Sequence, residues 1–578
     1  MTKKVVIVGG VAGGATALTR LRRLDEKAEI VMLERGEYIS FANCGLPYYI
    51  GGTIEDREKL VVHSPEAIME KYGVVVRNMS EVIKINKEEK YVEVKNIKTG
   101  ETYNESYDYL LLSTGSTPIK PPIPGIDSPN IFSLWNIPDV DAIKAYVDEK
   151  KPKRAIVVGG GFIGIEMAEN LHDLGMEVSI VEMSDQVMAP IDFEMAEIVH
   201  EHLRAKGVHL HIKDGVSKFE YENGTTKITL QSGKEVSGDI VILSIGIRPN
   251  GELAKDSGLV QNQRGGIVVD KYLKTSDDSI YAIGDVIEVE DFVNKIQTMI
   301  PLAGPANKQG RIVANNILGE YKEEYKGTQG TSIAKVFDLA VASTGVNEKT
   351  LIRLGKEYKK DYNLALIHVN SSAEYYPGAL PMTIKLLFNL EGKILGSQIV
   401  GYEGVDKRID VIATAIRFNG TVQDLIELEL AYAPPYSSAK DPVNMVGFVA
   451  DNLMKNMTDQ ILCQELVELD PKDYVILDIR KQVERDLGTI EGSLHIPIEE
   501  LRTRINELDK STNYIILCSI GLRGYLSDRI LKDNGFKSRN LVGGFKTYKT
   551  LYMKSETPTE SSPQSFSDSG VSNATVGK

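Results

Sequence analysis

The sequence predicts an α/β protein of several units, and three observations carry the prediction. A short β-branched run, a glycine-rich turn and a helix-forming run follow one another at residues 5–24, and the pattern returns from residue 155. Alternating strand runs followed by helical ones begin near Thr331. A strand running straight into a cysteine loop and a helix lies at 514–523 and beyond. A chain of 578 residues exceeds what one hydrophobic core organises, so three or four domains are expected.

Composition narrows the class. The balance of 42% hydrophobic and 26% charged residues is that of a soluble globular protein. A net charge of −14 argues against nucleic acid or an anionic membrane as partner, while local basic clusters can still bind phosphates. Three scattered cysteines suit a reducing cytosol and offer no metal site. The eight histidines contain no H-E-x-x-H, and His200/His202 and His209/His211 read as solvated pairs rather than ligands. Lys3-Lys4 and Val5-Val6-Ile7-Val8 imitate the start of a signal peptide, but Gly9 and Gly10 interrupt at once. No apolar run reaches the ~18 residues of a membrane helix. A cytoplasmic protein without membrane, nucleic-acid or metal partners is expected.

Val5-Val6-Ile7-Val8 reads as a buried parallel strand. Gly9 permits the tight turn after it, and Gly14 lets the following helix pack close to the strand, its N-terminus facing a pyrophosphate. Val11 stands where the middle glycine usually is. Strand Glu29–Leu33 ends at Glu34, placed to hold an adenosine ribose. The second copy is a full G-x-G-x-x-G, with Gly159, Gly161 and Gly164, and its second strand ends at Glu182. Two Rossmann-like fingerprints imply two dinucleotides. Glu182 suits the free 2′-hydroxyl of NADH, and Met183-Ser184-Asp185 supplies no arginine for NADPH, so NADH is expected ahead of NADPH. Strand-and-turn segments close both units: Tyr109–Ser116, with Thr114 and Gly115, and Val241–Asn250. Ser279–Asp285 ends a strand in Gly284-Asp285, a carboxylate beside a backbone that a cofactor can approach closely.

Between these lies Ser40-Phe41-Ala42-Asn43-Cys44-Gly45-Leu46-Pro47-Tyr48. A thiol at the start of a helix can be held as thiolate by the dipole and backbone N–H groups; a buried structural cysteine is the plain alternative. Tyrosines cluster with prolines at Glu374–Gly378 and Ala431–Pro442, where a core role explains them poorly. Strand Tyr514–Leu517 leads into Cys518-Ser519-Ile520-Gly521-Leu522-Arg523, a cradle of N–H groups with an added cation. Cys463 has no such setting and reads as structural. From 556 the chain is Ser, Thr, Pro and Gly with little apolar content, a disordered tail.

Over roughly residues 1–450 the order of motifs resembles the flavoprotein pyridine nucleotide–disulfide oxidoreductases. The resemblance implies an FAD-binding domain at 1–150 and 251–325, an NAD(P)H-binding domain at 151–250 and an α+β dimerisation domain at 326–450. Gly9, Gly14, Glu34, Thr114, Gly115, Gly284 and Asp285 would hold FAD, with Asp285 on the ribityl chain. Gly159, Gly161, Gly164 and Glu182 would hold NAD(P)H, Phe162 would cover the flavin until nicotinamide displaces it, and Glu166 would lie near the nicotinamide. After a linker at 451–460, residues 461–555 resemble a single rhodanese domain through Asp478-Ile479-Arg480, Gly492-Ser493-Leu494-His495-Ile496-Pro497 and the C-x-x-G-x-R loop. In such domains the cysteine, here Cys518, carries a persulfide, and Arg523 would assist.

Most relatives pair two cysteines; Tyr49 stands where the second would be, so Cys44 would cycle alone as a mixed disulfide, persulfide or sulfenic acid. Peroxide-handling relatives carry a histidine in the first glycine loop, where this chain has Ala12. Ser-Phe-x-Asn-Cys-Gly and the two tyrosine segments resemble the coenzyme A-disulfide reductases. Carried over, Cys44 is the redox nucleophile, with Ser40 and Asn43 flanking the substrate. Thr16, Arg20, Arg23, Lys71, Asn307 and Lys440 would bind coenzyme A, while Arg22 and Arg23 read otherwise as a solvated helix face. Tyr375 and Tyr432 would come from the partner subunit of a homodimer with shared active sites. The rhodanese domain points to NADH-dependent reduction of persulfides or polysulfides with release of hydrogen sulfide, coenzyme A serving as substrate or sulfur carrier. The alternatives are an NADH oxidase or peroxidase, and a flavin-binding redox sensor or sulfur carrier with little turnover.

Overall fold

Buried β-branched runs bounded by glycine turns build two parallel sheets of five strands each. In the computed structural model, which describes residues 2–553, the first sheet has the order Ile280–Ala282, Tyr109–Leu112, Lys4–Val8, Glu29–Leu33, Val75–Arg77. Every pairing in it is parallel. Val5, Val6 and Ile7 are fully buried, as strands covered on both faces must be. Helix Ala12–Leu24 lies beside helix Ala303–Leu318, so closely that a Cβ on Gly310 would sit 2.6 Å from the Gly13 carbonyl oxygen. Arg22 is not on a solvated face. It is buried and donates to the carbonyls of Tyr72, Gly73, Asp25 and Glu26, tying the helix to the chain that follows it.

The second sheet runs His209–Ile212, Glu177–Glu182, Arg154–Val158, Ile240–Leu243, Ile131–Ser133, again all parallel. Its last strand corrects a boundary. A division at 150 assigns 131–150 to the first unit, yet Ile131–Ser133 pairs with Val241–Leu243, and Ile137, Val140 and Ile143 of helix Ile137–Lys150 pack into the second core. His200 is a second correction. It is fully buried, accepts from the Val187 N–H (3.0 Å) and lies 3.1 Å from Glu197.

The third unit is an antiparallel sheet in the order Ser332–Val336, Leu339–Gly345, Ile394–Gly401, Pro381–Asn389, Tyr362–Asn370. Helices Val405–Arg417, Val422–Glu427 and Pro442–Met454 share its core. That last helix runs into the expected linker, and Gln460–Ile461 is already a strand, so the connector shrinks to 455–459. A parallel sheet in the order Gln460–Ile461, Lys537–Leu541, Asn513–Leu517, Val475–Asp478, Leu494–His495 forms the C-terminal unit. The tail from 556 lies outside the described residues. Among the described residues no helix is long and apolar enough to cross a membrane.

Two polar clusters join the units. Lys385, fully buried in the third unit, bonds Asp192 (2.9 Å), Glu348 (2.6 Å) and Glu194. Burial alone would lower its pKa, but the three carboxylates more than offset this and hold it well above the ordinary value. His368 bridges Thr383 (2.8 Å) and Thr547 of the C-terminal unit (2.9 Å); burial first, then Lys546, pushes its pKa down to about 3, so it serves as a neutral hydrogen-bonding link.

Candidate functional site: two dinucleotide loops and two thiols

The two glycine loops share one geometry. Gly9 and Gly159 have φ of +100° and +107°, and a Cβ at either would lie 2.2 or 2.4 Å from the carbonyl oxygen of Ser113 or Ser244. Gly14 and Gly164 each leave only 2.0 Å between a hypothetical Cβ and the carbonyl oxygen of Gly9 or Gly159. Only glycine permits both the turn and the close helix. The acid ending each second strand braces its own loop. Glu34 accepts from the N–H groups of Gly10 (2.8 Å) and Gly36 (2.7 Å), and Glu182 from those of Gly160 (2.7 Å) and Ser184 (2.8 Å). Nothing lies within 4 Å of a Cβ on Gly161, which leaves room at the start of helix Phe162–Asp173.

Among the described residues Asp285 has one partner, the Ser116 hydroxyl at 2.9 Å, and burial pushes its pKa up. A largely buried carboxylate with so little support fits a hydroxyl-bearing ligand along this wall. Gly284 N–H donates to Gln309 (2.8 Å), and Asn250 and Thr114 exchange two bonds of 2.8 Å. Gly115, at φ +64°, turns the chain beside them. Ser116, Gln309 and Asn250 were not singled out in the sequence. Ser116 and Asn250 carried a signal, as the ends of the two closing segments; Gln309 carried none.

The Cys44 segment is anchored to the first glycine loop, the Ser40 N–H donating to the Gly10 carbonyl at 2.9 Å. Ser40 has φ +47°, rare for a residue with a Cβ. Cys44 is exposed in the 3-10 turn Asn43–Gly45, ahead of helix Leu46–Ile50. That helix packs against helix Phe162–Asp173 of the second unit, where a Cβ on Gly51 would be 2.0 Å from Asn170 Oδ1. The thiol thus stands where the two dinucleotide units meet. Although the residue is open to solvent, the protein packed around its Sγ and then the Glu166 carboxylate push its pKa up and outweigh its backbone hydrogen bond, against the thiolate that a helix start would favour. Glu166 itself is pushed up to about 7 by burial and by Glu169, which is bonded to Lys335 and to the Phe337 N–H (2.9 Å). Among the described residues the buried Asn43 Oδ1 has no partner, and its Nδ2 has only the Trp135 carbonyl at 3.4 Å.

The residues expected to bind a phosphorylated substrate fall largely along the two paired helices. Thr16 Oγ1 donates to Asn307 (2.6 Å) and Arg20 Nε to Asn315 (2.9 Å). Burial first, then the like charges of Arg311 and Arg23, lowers the Arg20 pKa, with Glu323 pulling the other way. Arg311 was missed, although it stands four residues after Asn307, on the same helical face. Lys71 lies apart on helix Pro65–Tyr72, its ammonium 5.5 Å from the Tyr72 ring centre. Tyr375 and Tyr432 are exposed and hydrogen-bonded to each other through their hydroxyls (2.7 Å). Lys440 lines a cavity of about 440 Å³ shared with His368, Lys546 and Ile520 of the Cys518 loop.

In the C-terminal unit Cys518 is buried and its Sγ accepts from the Gly521 N–H at 2.9 Å. Arg523 is not a free cation. It donates to both Glu484 oxygens (2.7 and 2.5 Å) and to Ser519 Oγ (2.8 Å). Glu484, missed in the sequence, is 39 residues distant from Arg523 and no local pattern marks it. Cys463 is buried, and burial pushes its pKa up to about 12, as a structural thiol.

Comparison with known proteins agrees with this layout. The profile of the pyridine nucleotide-disulphide oxidoreductase family matches residues 3–310, that of its dimerisation domain 331–442, and that of the rhodanese-like domain 464–551. A coenzyme A disulfide reductase of Staphylococcus epidermidis is 36% identical over 448 residues, 77% of this chain and 99% of that protein. The crystal structure of reduced Bacillus anthracis CoADR-RHD matches with 53% identity and a TM-score of 0.93, covering 95% of this chain and 98% of that one. A NAD-dependent persulfide reductase from A. fulgidus matches with 38% identity and a TM-score of 0.88 over 94% of this chain and 100% of that one. The chain therefore belongs to the pyridine nucleotide-disulphide oxidoreductase family, with a rhodanese-like domain at its C-terminus.

Proposed function

We propose that the protein is an NADH-dependent reductase of sulfur–sulfur bonds that works through Cys44 alone, acting on coenzyme A disulfide and on coenzyme A persulfide or polysulfide. The observation that carries this reading is the position of Cys44: an exposed, unpaired thiol on a segment bonded to the first dinucleotide loop and packed on the helix of the second. Gly9, Gly14, Glu34 and Asp285 would hold FAD, which would supply the two-electron link between NADH and sulfur. Burial, and after it the Glu166 carboxylate, raises the Cys44 pKa, which supports placing the two side chains at one site. Glu182 favours NADH.

Cys44 Sγ takes the sulfur substrate as a mixed disulfide or a persulfide, and two electrons return it to the thiolate with release of thiol or hydrogen sulfide. Asn43, with its unpartnered buried oxygen, positions the substrate beside the thiol. The strip of Thr16, Arg20, Arg23, Asn307 and Arg311 binds the phosphates of coenzyme A. The chain acts as a homodimer in which Tyr375 and Tyr432 complete the partner's site; their exposure in one subunit supports that arrangement. Cys518 receives sulfane sulfur, and the cavity holding both Lys440 and Ile520 supports transfer on a carried thiol rather than direct contact of Cys518 with Cys44.

The test is anaerobic NADH consumption by the flavin-loaded protein with coenzyme A disulfide, then with coenzyme A persulfide. Turnover with either is expected, and Cys518→Ser should spare the disulfide while slowing the persulfide. Turnover only when oxygen is admitted would favour an NADH oxidase. No turnover at all would favour a sensor or carrier.

A further inference from the structure

The mouth of the Cys518 loop holds a closed polar triad. Arg523 donates to both oxygens of Glu484, at 2.7 and 2.5 Å, and to Ser519 Oγ at 2.8 Å. The Ser519 hydroxyl donates to the same carboxylate at 2.5 Å, and the Lys481 N–H adds a bond at 3.1 Å. The triad carries no net charge, and Arg523 is the loop's one basic residue. Beside it Ile520 and Leu522 are 41% and 58% exposed, and Lys440 and Lys546 line the cavity that Ile520 borders. Cys518 itself is 1% exposed, so a donor must enter the mouth and shed its water to reach Sγ.

We propose that Glu484 makes the Cys518 centre selective for organic hydropersulfides over thiosulfate, by holding the Arg523 guanidinium that a dianion would need. The proposal deepens the reading of Cys518 as sulfane-sulfur acceptor and rests on it. In the loading step the Cys518 thiolate attacks the outer sulfur of R–S–SH. A bond forms from Sγ to that sulfur, the donor's S–S bond breaks, and RS⁻ departs with the electron pair. Cys518–S–SH is left and no electrons enter or leave. The leaving thiolate carries one charge, and its R group rests on Ile520 and Leu522. Thiosulfate would give the same product by releasing sulfite, but its two negative charges would have to be desolvated against the Glu484 carboxylate or displace it from a bidentate pair. Glu484 acts through Arg523 and is a positioning residue.

The test loads full-length protein without NADH, using sodium thiosulfate or 2-hydroxyethyl hydropersulfide, and reads the added sulfur on the Cys518 peptide by mass spectrometry. The wild type should load at least about 100-fold faster from the hydropersulfide. Glu484→Gln should raise thiosulfate loading about tenfold and narrow the ratio accordingly, because it frees Arg523 without changing side-chain size. Glu484→Asp should keep the wild-type preference. A structural role alone would slow both donors together and leave the ratio unmoved, which would overturn the proposal, as would equal loading from both donors in the wild type. Loading from neither donor would overturn the acceptor reading beneath it, a result separate from the NADH assay at Cys44.

Discussion

Replacing Lys385 by Met removes the cation at the centre of three carboxylates while nearly preserving side-chain length. Lys385 is fully buried and bonds Asp192, Glu194 and Glu348. Breaking a buried ion pair from one side costs about 3–5 kcal/mol, because the opposite charge is stranded. Proton uptake recovers part of this, at about 1.4 kcal/mol for each unit of pKa shift. Glu194 is the group poised to take the proton: burial already raises its pKa against the pull of Lys385. With Lys385 gone its folded pKa rises further above the unfolded value, so the folded state binds more protons than the unfolded one and stability falls as pH rises. The net loss is about 2 kcal/mol near pH 5 and about 4 kcal/mol near pH 8. Asp192 also accepts from the N–H groups of Glu348 and Lys349, so the loss falls on the joint between the second unit and the third. Hydrogen exchange in Phe193–Ala205 and Pro381–Asn389 reads that joint without treating a multidomain chain as two-state. Unchanged protection, or a loss independent of pH, would refute the reasoning.

Two further changes separate the parts of the reductase centre. Gly164→Ala puts a Cβ 2.0 Å from the Gly159 carbonyl oxygen and 2.7 Å from Ser244 Oγ. Overpacking of this kind costs about 1–3 kcal/mol, and the KM for NADH should rise about tenfold with flavin content unchanged, whereas parallel loss of flavin would contradict the assignment of the two loops. Glu166, with its pKa near 7 in the fold against an ordinary 4.5, keeps a proton that the unfolded chain releases between those values. Stability of the cofactor-free wild type should therefore decline across that window by up to about 3 kcal/mol, and Glu166→Gln should remove the decline. Superimposable pH profiles of the two proteins would count against it.

What could be read beforehand follows from what is local in the chain. A strand, its glycine turn and its helix lie within about twenty residues, so both dinucleotide loops and the Cys518 loop were legible. The residues that complete them were not, because their partners are remote in sequence. Glu484 reaches Arg523 only through tertiary packing, Ser116 meets Asp285 across 169 positions, and Ile131–Ser133 chooses its sheet by pairing with Val241–Leu243. Charge patterning misled at Arg22, where four carbonyls bury a guanidinium that the helix sequence shows only as one of a basic pair. For Cys44 the position was legible but the balance was not. A helix start favours the thiolate, and only the fold brings Glu166 and burial against it.

The central claim is that one thiol, Cys44, passes electrons from NADH to a sulfur–sulfur bond. Its most direct test is the anaerobic rate of NADH oxidation by flavin-loaded Cys44→Ser with coenzyme A disulfide and with coenzyme A persulfide. The account predicts a loss of at least about 1,000-fold on both substrates with flavin still bound, as removal of an essential nucleophile produces. A variant that kept a tenth or more of the wild-type rate on either substrate, by the same order-of-magnitude standard, would contradict it.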